Sequence, residues 1–388
     1  MIPGLDVFAW VVAGLWTWRG MGAVFGLPKV PDLLRTEYDA APVKGASLTV
    51  IVPALNEEAH VGACLESLLA QEYEALEIIA VDDRSTDGTG AIMDALAATN
   101  SKRMRVIHVK ELPGGWLGKT HAMALAARSS TSEYILFTDA DVVYRKDALR
   151  RSMAYAVASG ADHLVTVPTL EVRRWDEAAL LGVFQVCGLW AARPWKVGDP
   201  RAKRDAVGIG AFNLLRRSAY EQVGGFEALR MEIVEDLGIA RRVKKAGLAQ
   251  RLAFGRGLVN VHWASGALGL VNVMTKNMFS AFQFRILLLL GACGWLVGFC
   301  VVPWVGLFTT GWRVPSAIAV GMIALMYRAV GKTSGISARY VLLSPFAAVL
   351  MVYALLRSMV TTLRQGGVIW RGTFYSLDEL RKHAGPMW

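Results

Sequence analysis

Charged residues are scarce in this chain. Asp, Glu, Lys and Arg make up 19% of its 388 residues, whereas they make up about 25% of an ordinary soluble protein. Hydrophobic residues reach 54%, and the mean hydropathy is +0.37. Because the apolar excess is concentrated near the two ends, part of the chain is expected to lie in a membrane.

Several familiar catalytic patterns are also absent. The chain has no Gly-x-Ser-x-Gly sequence, the pattern of a nucleophile elbow. Its six histidines form no His-x-x-x-His or His-Glu pair. The four cysteines are scattered without a Cys-x-x-Cys pair, so neither a zinc site nor a disulfide framework is indicated.

Four uncharged runs are candidates for membrane segments, because about 20 apolar residues cross a bilayer. The longest is 286–309, with 24 residues, and 340–356 has 17, whereas 314–327 is short at 14. The run 7–18 is interpreted as an N-terminal anchor. A secretory signal is the alternative, but a signal has a basic leader, and the first six residues carry only Asp6.

The formal net charge of +10 raises the question of a nucleic-acid partner, and its distribution argues against one. Residues 29–285 carry 32 basic and 29 acidic side chains, a net charge of +3, whereas residues 286–388 carry nine and two, a net charge of +7. Basic side chains beside apolar spans are typical of membrane proteins that face anionic lipids. We therefore expect a lipid bilayer as a partner and no nucleic acid.

Between the apolar ends, the chain alternates between strand-like and helix-like segments. Predicted strands are 47–55, 76–83, 104–110 and 133–143, and predicted helices are 57–71, 87–100 and 119–130. Helices of this length between strands imply an α/β fold with a mostly parallel, Rossmann-like sheet. Ligands of such sheets bind beyond the carboxyl ends of the strands, where the polar clusters of this segment fall.

Two carboxylates, Asp139 and Asp141, follow the strand-like residues YILFT. At a strand end that is turning, both can face one cleft, where each raises the pKa of the other. A bound Mg²⁺ ion would remove this repulsion, since it is often held by one or two carboxylates together with substrate phosphates. The pair is therefore interpreted as a metal–diphosphate site, although such aspartates can also cap the following segment.

Two further strand ends carry polar side chains. Asp82 and Asp83 precede STDGT, and a carboxylate at a strand end can accept hydrogen bonds from a base or a ribose. Asn56 and Glu57 follow the first strand. For both clusters the alternative is a tight turn with helix capping.

The segment PGGWLGK is similar to a phosphate-binding loop but lacks its spacing. Four residues must separate the first glycine from Gly-Lys, and only three lie between Gly114 and Gly118. A flexible loop that brings the Lys119 cation to a diphosphate is the remaining interpretation.

Glu235 and Asp236 precede a helix with a basic exposed face in EIVEDLGIARRVKKAG. A carboxylate at the start of a helix that reaches the same cleft can deprotonate an acceptor hydroxyl. Helix capping beside a solvated basic face is an equally open alternative.

Together these segments resemble the family 2 glycosyltransferases, which are inverting enzymes with the GT-A fold. The resemblance covers about residues 47–265 and is carried, in the family's order, by VIVPALNEE, VDDRSTDGT, GWLGKTHAM, TDADV, GAFNLLRRSAYEQVGGF and VEDLGIARRVKKAG. GWLGK and the tail segment GGVIWRGTFY favour the membrane-bound, lipid-directed branch, which includes hopanoid-associated, carotenoid and ceramide glycosyltransferases.

The resemblance implies which residues hold a nucleotide sugar. Asp83, with Asp82, would bind the uracil and ribose of a UDP-sugar. The full set of residues expected on the nucleotide-sugar side is Pro53, Asn56, Glu57, Asp82, Asp83, Lys119 and Asp139.

The resemblance also implies the metal site and the catalytic residues. Asp139 and Asp141 would hold Mg²⁺ or Mn²⁺ on the diphosphate. Asp236 would be the general base, and Glu235 would shape its site.

One motif of the processive members, Gln-x-x-Arg-Trp after the base, is absent from the chain. A long polymer is therefore not the expected product. Lys276, Gln283 and Arg285, shortly before the first long apolar run, are candidates for the acceptor or phosphate side.

The expected architecture is a GT-A domain at 45–265 with membrane segments at both ends. These are an anchor at 1–27, an interfacial connector at 266–285, two to three transmembrane helices within 286–363 and a basic tail at 364–388. The expected activity is the transfer of one sugar from UDP-sugar to a hydroxyl of a membrane lipid, on the cytoplasmic side of the cytoplasmic membrane. A processive polysaccharide synthase and an inert nucleotide-sugar-binding membrane module are the alternatives.

Overall fold

The computed structural model describes residues 3–39 and 46–383. Residues 1–2, residue 45 and residues 384–388, which belong to the expected anchor, GT-A domain and tail, lie outside the described residues.

The α-helices are α1 (Pro3–Gly26), α2 (Val61–Leu69), α3 (Thr89–Thr99), α4 (Gly118–Arg128), α5 (Ala148–Ala158), α6 (Trp175–Ala191), α7 (Arg217–Gln222), α8 (Glu235–Lys245), α9 (Gly266–Ala281), α10 (Ile286–Leu296), α11 (Val302–Gly306), α12 (Arg313–Ser334), α13 (Ser344–Gln365) and α14 (Leu377–His383). The strands are β1 (Leu48–Ala54), β2 (Leu76–Asp83), β3 (Met104–Val109), β4 (Tyr134–Phe137), β5 (Val142–Tyr144), β6 (His163–Thr166), β7 (Thr169–Leu170), β8 (Asn213–Arg216), β9 (Gln250–Ala253), β10 (Val259–Val261), β11 (Gly367–Trp370) and β12 (Thr373–Ser376).

A seven-stranded sheet has the order β3-β2-β1-β4-β8-β6-β9. β1 pairs in parallel with β2 and β4, β2 pairs in parallel with β3, and β6 pairs in parallel with β9. Only β8, between β4 and β6, runs antiparallel to its neighbours. Every residue of β1 is buried, as expected for a strand covered on both faces. The predicted α/β fold with a mainly parallel sheet is confirmed.

The predicted strand 133–143 is wrong in one respect, because it is two strands. β4 ends at Phe137, and β5 begins at Val142 in a separate three-stranded sheet with β10 and β7. The Thr138 hydroxyl donates a hydrogen bond to the Ala211 carbonyl at 2.9 Å, which ties the intervening turn to the segment before β8. Asp139 and Asp141 lie in this turn, which connects a strand of the large sheet to a strand of the three-stranded sheet.

The carboxyl ends of three neighbouring parallel strands meet at one edge of the large sheet. β1, β2 and β4 end at Ala54, Asp83 and Phe137, so the polar segments that follow them lie at the same edge. This is the edge where α/β sheets bind ligands.

Four helical segments are long and apolar enough to cross a membrane: Asp6–Lys29, Ile286–Gly306, Arg313–Ser334 and Ala338–Gln365. The short run 314–327 belongs to a helix of 22 residues, a length that suffices to span a bilayer.

Large apolar side chains on these helices are exposed. Leu287 is 83% exposed and Phe346 is 73% exposed. Apolar surface of this kind on long apolar helices is suited to contact with lipid.

Helix α6 is a core helix. It packs against α9, α12 and α13, and side chains from Glu177 to Leu189 are buried on several sides. The Glu177 carboxylate accepts hydrogen bonds from the backbone N–H groups of Arg173 and Gly266, each at 2.8 Å, so it joins the starts of α6 and α9.

The apolar helices and the site-bearing loops share one hydrophobic core. Leu117 and Ile233 are buried in the same cluster as Leu289, Ile323 and Met351 of the membrane-type helices. Burial of this shared surface stabilises the sheet domain against the helices.

A buried arginine fastens the segment before β1 to helix α5. The Arg151 guanidinium lies 2.6 Å from carboxylate oxygens of both Asp147 and Asp39, and it donates to the Leu33 carbonyl at 3.0 Å. Burial would raise the pKa of Asp147, but hydrogen bonds from Arg145 and Arg151 lower it to about 2.

We expect Arg151→Met to lower the free energy of unfolding by about 3 kcal/mol, the low end for removing one partner of a buried ion pair, because Arg145 still contacts Asp147. Thermal unfolding in detergent measures the loss. The control is Lys146→Met, whose exposed ammonium lies 3.0 Å from Glu72; its removal costs about 1 kcal/mol or less. Equal melting temperatures for the two variants would contradict the prediction.

Candidate active site

Lys119 joins two acidic segments that are distant in the sequence. Its Nζ atom lies 2.6 Å from Asp139 Oδ1 and 2.6 Å from Glu235 Oε1. Only 12% of the Lys119 side chain and 8% of the Glu235 side chain are exposed, so solvent screens these contacts little. The start of α4, the turn after β4 and the start of α8 therefore meet at one ammonium group.

This ion-pair triad determines the charge of its members. Burial would lower the pKa of Lys119, but Asp139 and Glu235 raise it overall, so the amine stays protonated. In turn, burial would raise the pKa of Asp139, and the nearby Lys119 charge lowers it overall.

The two carboxylates next to the triad have the opposite behaviour. Burial, with Asp139 and Glu57 nearby, raises the pKa of Asp141 to about 6. Burial, with the Glu235 charge beside it, raises the pKa of Asp236 to about 7. A carboxyl group that titrates near neutral pH in a cleft is suited to proton transfer.

Two glycines allow the segment before β8 to approach the acidic groups. A Cβ atom on Gly208 would lie 1.9 Å from the Asp236 carbonyl oxygen, and one on Gly210 would lie 2.6 Å from Asp139 Oδ2. Any side chain at these positions would displace α8 or the Asp139 carboxylate. Sequence reasoning missed this role, although the Gly-Ile-Gly spacing was a visible signal.

Asp83 lies at the carboxyl end of β2 and is 1% exposed. Arg84 donates two hydrogen bonds to it, at 2.8 and 3.1 Å. Asp83 Oδ2 lies so close to Gly118 that a Cβ atom there would be 2.2 Å away. The structure therefore places Asp83 beside the residue that precedes Lys119.

Asp82 is engaged away from this cluster. Its Oδ1 accepts a hydrogen bond from the Ser85 N–H at 3.1 Å, and its Oδ2 lies 3.0 Å from His108 Nδ1. Asp82 thus organises the turn after β2 and contacts β3.

The end of β1 and the residues that follow it lie next to the same cleft. Pro53 is a buried residue of β1, and Asn56 Oδ1 accepts a hydrogen bond from the Thr86 N–H at 2.8 Å. Glu57 is near enough to Asp141 to raise the pKa of that residue. The ends of β1 and β2 are therefore joined, and Glu57 faces the aspartate pair.

The three acceptor-side candidates lie on a different element. Lys276 is an exposed residue of α9, and Gln283 and Arg285 lie in the turn between α9 and α10. Gln283 has a left-handed backbone with φ of +54°. None of the three belongs to the ion-pair triad around Lys119.

The hairpin β11–β12 also reaches the site. Arg371 Nη2 lies 3.9 Å from Glu57 Oε1, and the Tyr375 hydroxyl lies near the backbone of Gly118. Sequence reasoning placed these residues in a basic tail and missed this approach, although an arginine within GGVIWRGTFY was a visible signal.

The carboxylates of Asp139 and Asp141 are suited to a divalent cation whose other ligands come from a substrate. Within 3–39 and 46–383, no group of three or more His, Cys, Asp or Glu side chains forms a metal cluster of its own. Asp139 and Asp141 offer hard carboxylate oxygens, and a cation would offset the burial and the negative neighbours that raise the pKa of Asp141. Two carboxylates with substrate phosphates are a common ligand set for Mg²⁺.

We expect Lys119→Met to destabilise the protein most at high pH. Without the ammonium, burial raises the pKa of Asp139 above its unfolded value, so the folded state binds more protons than the unfolded state and loses stability as pH rises. Melting temperatures of variant and wild type, measured with EDTA from pH 5 to pH 8, should diverge as pH increases. The control is Lys102→Met, at an exposed position; a pH-independent gap for the Lys119 variant would contradict the expectation.

Comparisons with known proteins agree with this arrangement. The model of the Glycosyl transferase family 2 matches residues 49–224. The 4,4'-diaponeurosporenoate glycosyltransferase of Staphylococcus aureus strain bovine RF122 / ET3-1 is 24% identical over 347 residues, which cover 86% of this chain and 89% of the relative. The counterpart from strain USA300 is 24% identical over 351 residues with the same coverage.

A solved structure shares the fold. It is the mannosyltransferase PcManGT from Pyrobaculum calidifontis in complex with GDP-Man and Mn²⁺, which is 19% identical, with a TM-score of 0.50 over 92% of this chain and 99% of that chain. The sheet, the order of motifs and the family match lead to one conclusion: residues 49–224 form a glycosyltransferase domain of the family 2 type.

Proposed function

We propose that the chain transfers a single sugar from a nucleotide sugar, UDP-sugar in the first instance, to a hydroxyl group of a membrane lipid. The observation that carries the proposal is the contact of Lys119 with both Asp139 and Glu235 at 2.6 Å. It brings the residues proposed for the donor diphosphate next to those proposed for the acceptor.

The donor is proposed to lie along the carboxyl edge of the sheet. Asp83, near the loop that carries Lys119, would accept hydrogen bonds from the nucleoside, and Asn56 and Glu57 would line the opposite side. Asp139 and Asp141 would hold Mg²⁺ or Mn²⁺ at the diphosphate. When bound, the cation would stabilise the negative charge on the departing nucleoside diphosphate.

Asp236 is proposed to act as the general base. The acceptor hydroxyl gives its proton to the Asp236 carboxylate, and the hydroxyl oxygen forms a bond to the anomeric carbon. The bond from that carbon to the diphosphate breaks on the opposite face, and the electron pair leaves with the diphosphate, so the configuration inverts. The raised pKa of Asp236, about 7, suits a base that works near neutral pH.

Glu235 is proposed to position this base rather than to replace it. Its carboxylate contacts the Lys119 ammonium at 2.6 Å, so it is already engaged by a cation. Its negative charge, together with burial, raises the pKa of Asp236. Glu235 therefore makes its neighbour a stronger base.

A lipid acceptor is supported by two independent features. The relatives from Staphylococcus aureus are named for diaponeurosporenoate, a carotenoid-type acceptor, and within the described residues four helical segments are apolar enough to cross a membrane. Because Leu117 and Ile233 share a core with these helices, the site would lie close to the membrane surface. We place it on the cytoplasmic side, where nucleotide sugars and basic loops are expected.

The proposal is tested by incubating membranes that contain the protein with a panel of radiolabelled nucleotide sugars and extracting the lipids. A single labelled lipid that carries one sugar is the expected product. A ladder of oligomers would favour a processive synthase instead, and labelled lipid with no dependence on the protein would exclude both activities.

We expect Asp236→Asn to lower kcat by about 10²- to 10⁴-fold, the usual contribution of a general base, while the affinity for the donor changes little. Asp94→Asn is the matched control, because Asp94 is an exposed residue of α3. Steady-state kinetics and equilibrium binding of UDP separate the two effects. Full activity of the Asp236→Asn variant would show that the reaction uses another base or no base.

We expect Asp141→Asn to weaken Mn²⁺ binding in the presence of UDP by at least about tenfold, because it removes one of two carboxylate ligands. Electron paramagnetic resonance of free Mn²⁺ measures this binding without a turnover assay. The Asp94→Asn protein should bind as the wild type does. Unchanged Mn²⁺ affinity in the Asp141 variant would refute the assignment of the metal ligands.

A further inference from the structure

The hairpin that follows helix α13 has an unusual residue at its turn. Trp370 pairs with Thr373, so Arg371 and Gly372 form a two-residue loop, and their φ angles are +49° and +79°. Such turns favour Asn-Gly or Gly-Gly, because both residues need positive φ. A long side chain in the left-handed region carries a conformational cost, and residues of this kind cluster at functional sites.

The hairpin is firmly attached to the protein on both sides of Arg371. Val368 and Tyr375 are 5% and 6% exposed and belong to the core that contains the apolar helices. The Tyr375 hydroxyl lies near the backbone of Gly118, one residue before Lys119. The turn is therefore held at a fixed place beside the cleft.

The Arg371 guanidinium points toward the acidic side of the cleft but is not satisfied there. It forms an ion pair with Glu57 at 3.9 Å, which is too long for a hydrogen bond. Arg371 is also close enough to Asp139 for the two charges to interact. Among the described residues, Arg371 Nη1 is buried and has no hydrogen-bond partner.

A buried guanidinium nitrogen without an acceptor is costly, unless a ligand supplies the acceptor. The planar guanidinium matches two oxygens of a phosphate group, which it binds more strongly than a neutral donor would. Asp139, which lies near Arg371, already contacts Lys119, and Glu57 is too distant from Arg371 to accept a hydrogen bond. The missing acceptor is therefore best supplied by an anion that enters the cleft.

We propose that Arg371 is a ligand of the donor diphosphate, delivered to the cleft from the C-terminal hairpin after the last apolar helix. This inference rests on the proposed function, because it assumes that a nucleoside diphosphate group occupies the cleft. Arg371 supplies a second cation beside Lys119, whose own ammonium is shared between Asp139 and Glu235. The donor site is thus incomplete without residues that lie beyond the apolar helices.

The test measures binding by the full-length protein in detergent micelles with Mn²⁺, for UDP, GDP and the nucleoside uridine. For Arg371→Met we expect UDP or GDP, whichever the wild type binds, to bind about 10- to 100-fold more weakly, the range of one charge-assisted hydrogen bond. The affinity for uridine should stay unchanged. The diphosphate affinity of Arg371→Lys should lie between those of the wild type and of Arg371→Met. Lys382→Met, which removes an exposed positive charge from the same tail, should bind as the wild type does.

Each other outcome overturns a specific statement. If Arg371→Met binds the diphosphate as tightly as the wild type, or weakens uridine to the same degree as UDP, Arg371 is not a diphosphate ligand. If the wild-type protein binds neither UDP nor GDP, the proposed function itself fails. Melting temperatures of the Arg371 variants within a few degrees of the wild type distinguish lost binding from lost folding, and the lysine variant retains the charge if the methionine variant does not fold.

Discussion

The contact of one buried ammonium with two carboxylates is the constraint on which the rest of the site depends. Lys119 has only 12% of its side chain exposed, and a buried charge without a partner is strongly unfavourable. Asp139 and Glu235 remove that cost, but only if the turn after β4 and the start of α8 lie against α4. The close approach of Gly208 and Gly210 follows from the same requirement, since a side chain there would force the acidic groups apart.

The charge distribution created by this contact divides the carboxylates into two kinds. Asp139 is kept ionised by Lys119, whereas burial raises the pKa values of Asp141 and Asp236 to about 6 and about 7. In the proposed function, Asp139 and Asp141 would hold a cation at the diphosphate, and Asp236 would accept the proton. Carboxylates with these different pKa values can lie at the same edge of the sheet because they belong to different loops.

The apolar helices also contribute to the position of the site. Leu117 and Ile233, two residues before Lys119 and Glu235, are buried in one cluster with those helices. The hairpin that begins after α13 returns to the same cleft and brings Arg371 beside Glu57. Packing therefore links the position of the donor cleft to the position of the helices that would hold the lipid acceptor.

The sequence by itself determined the alternation of strands and helices, the apolar segments and the acidic strand ends, because these depend on local periodicity and composition. It did not determine the end of strand β4 at Phe137, the contact of Asp82 with His108, or the position of the C-terminal hairpin beside the cleft. Those depend on hydrogen bonds between distant residues, such as Thr138 with Ala211 and Asp82 with His108. Only the tertiary structure decided which carboxylates contact the Lys119 ammonium and which do not. The physical reason is that the pKa of each group depends on burial and on neighbours that lie far away in the sequence.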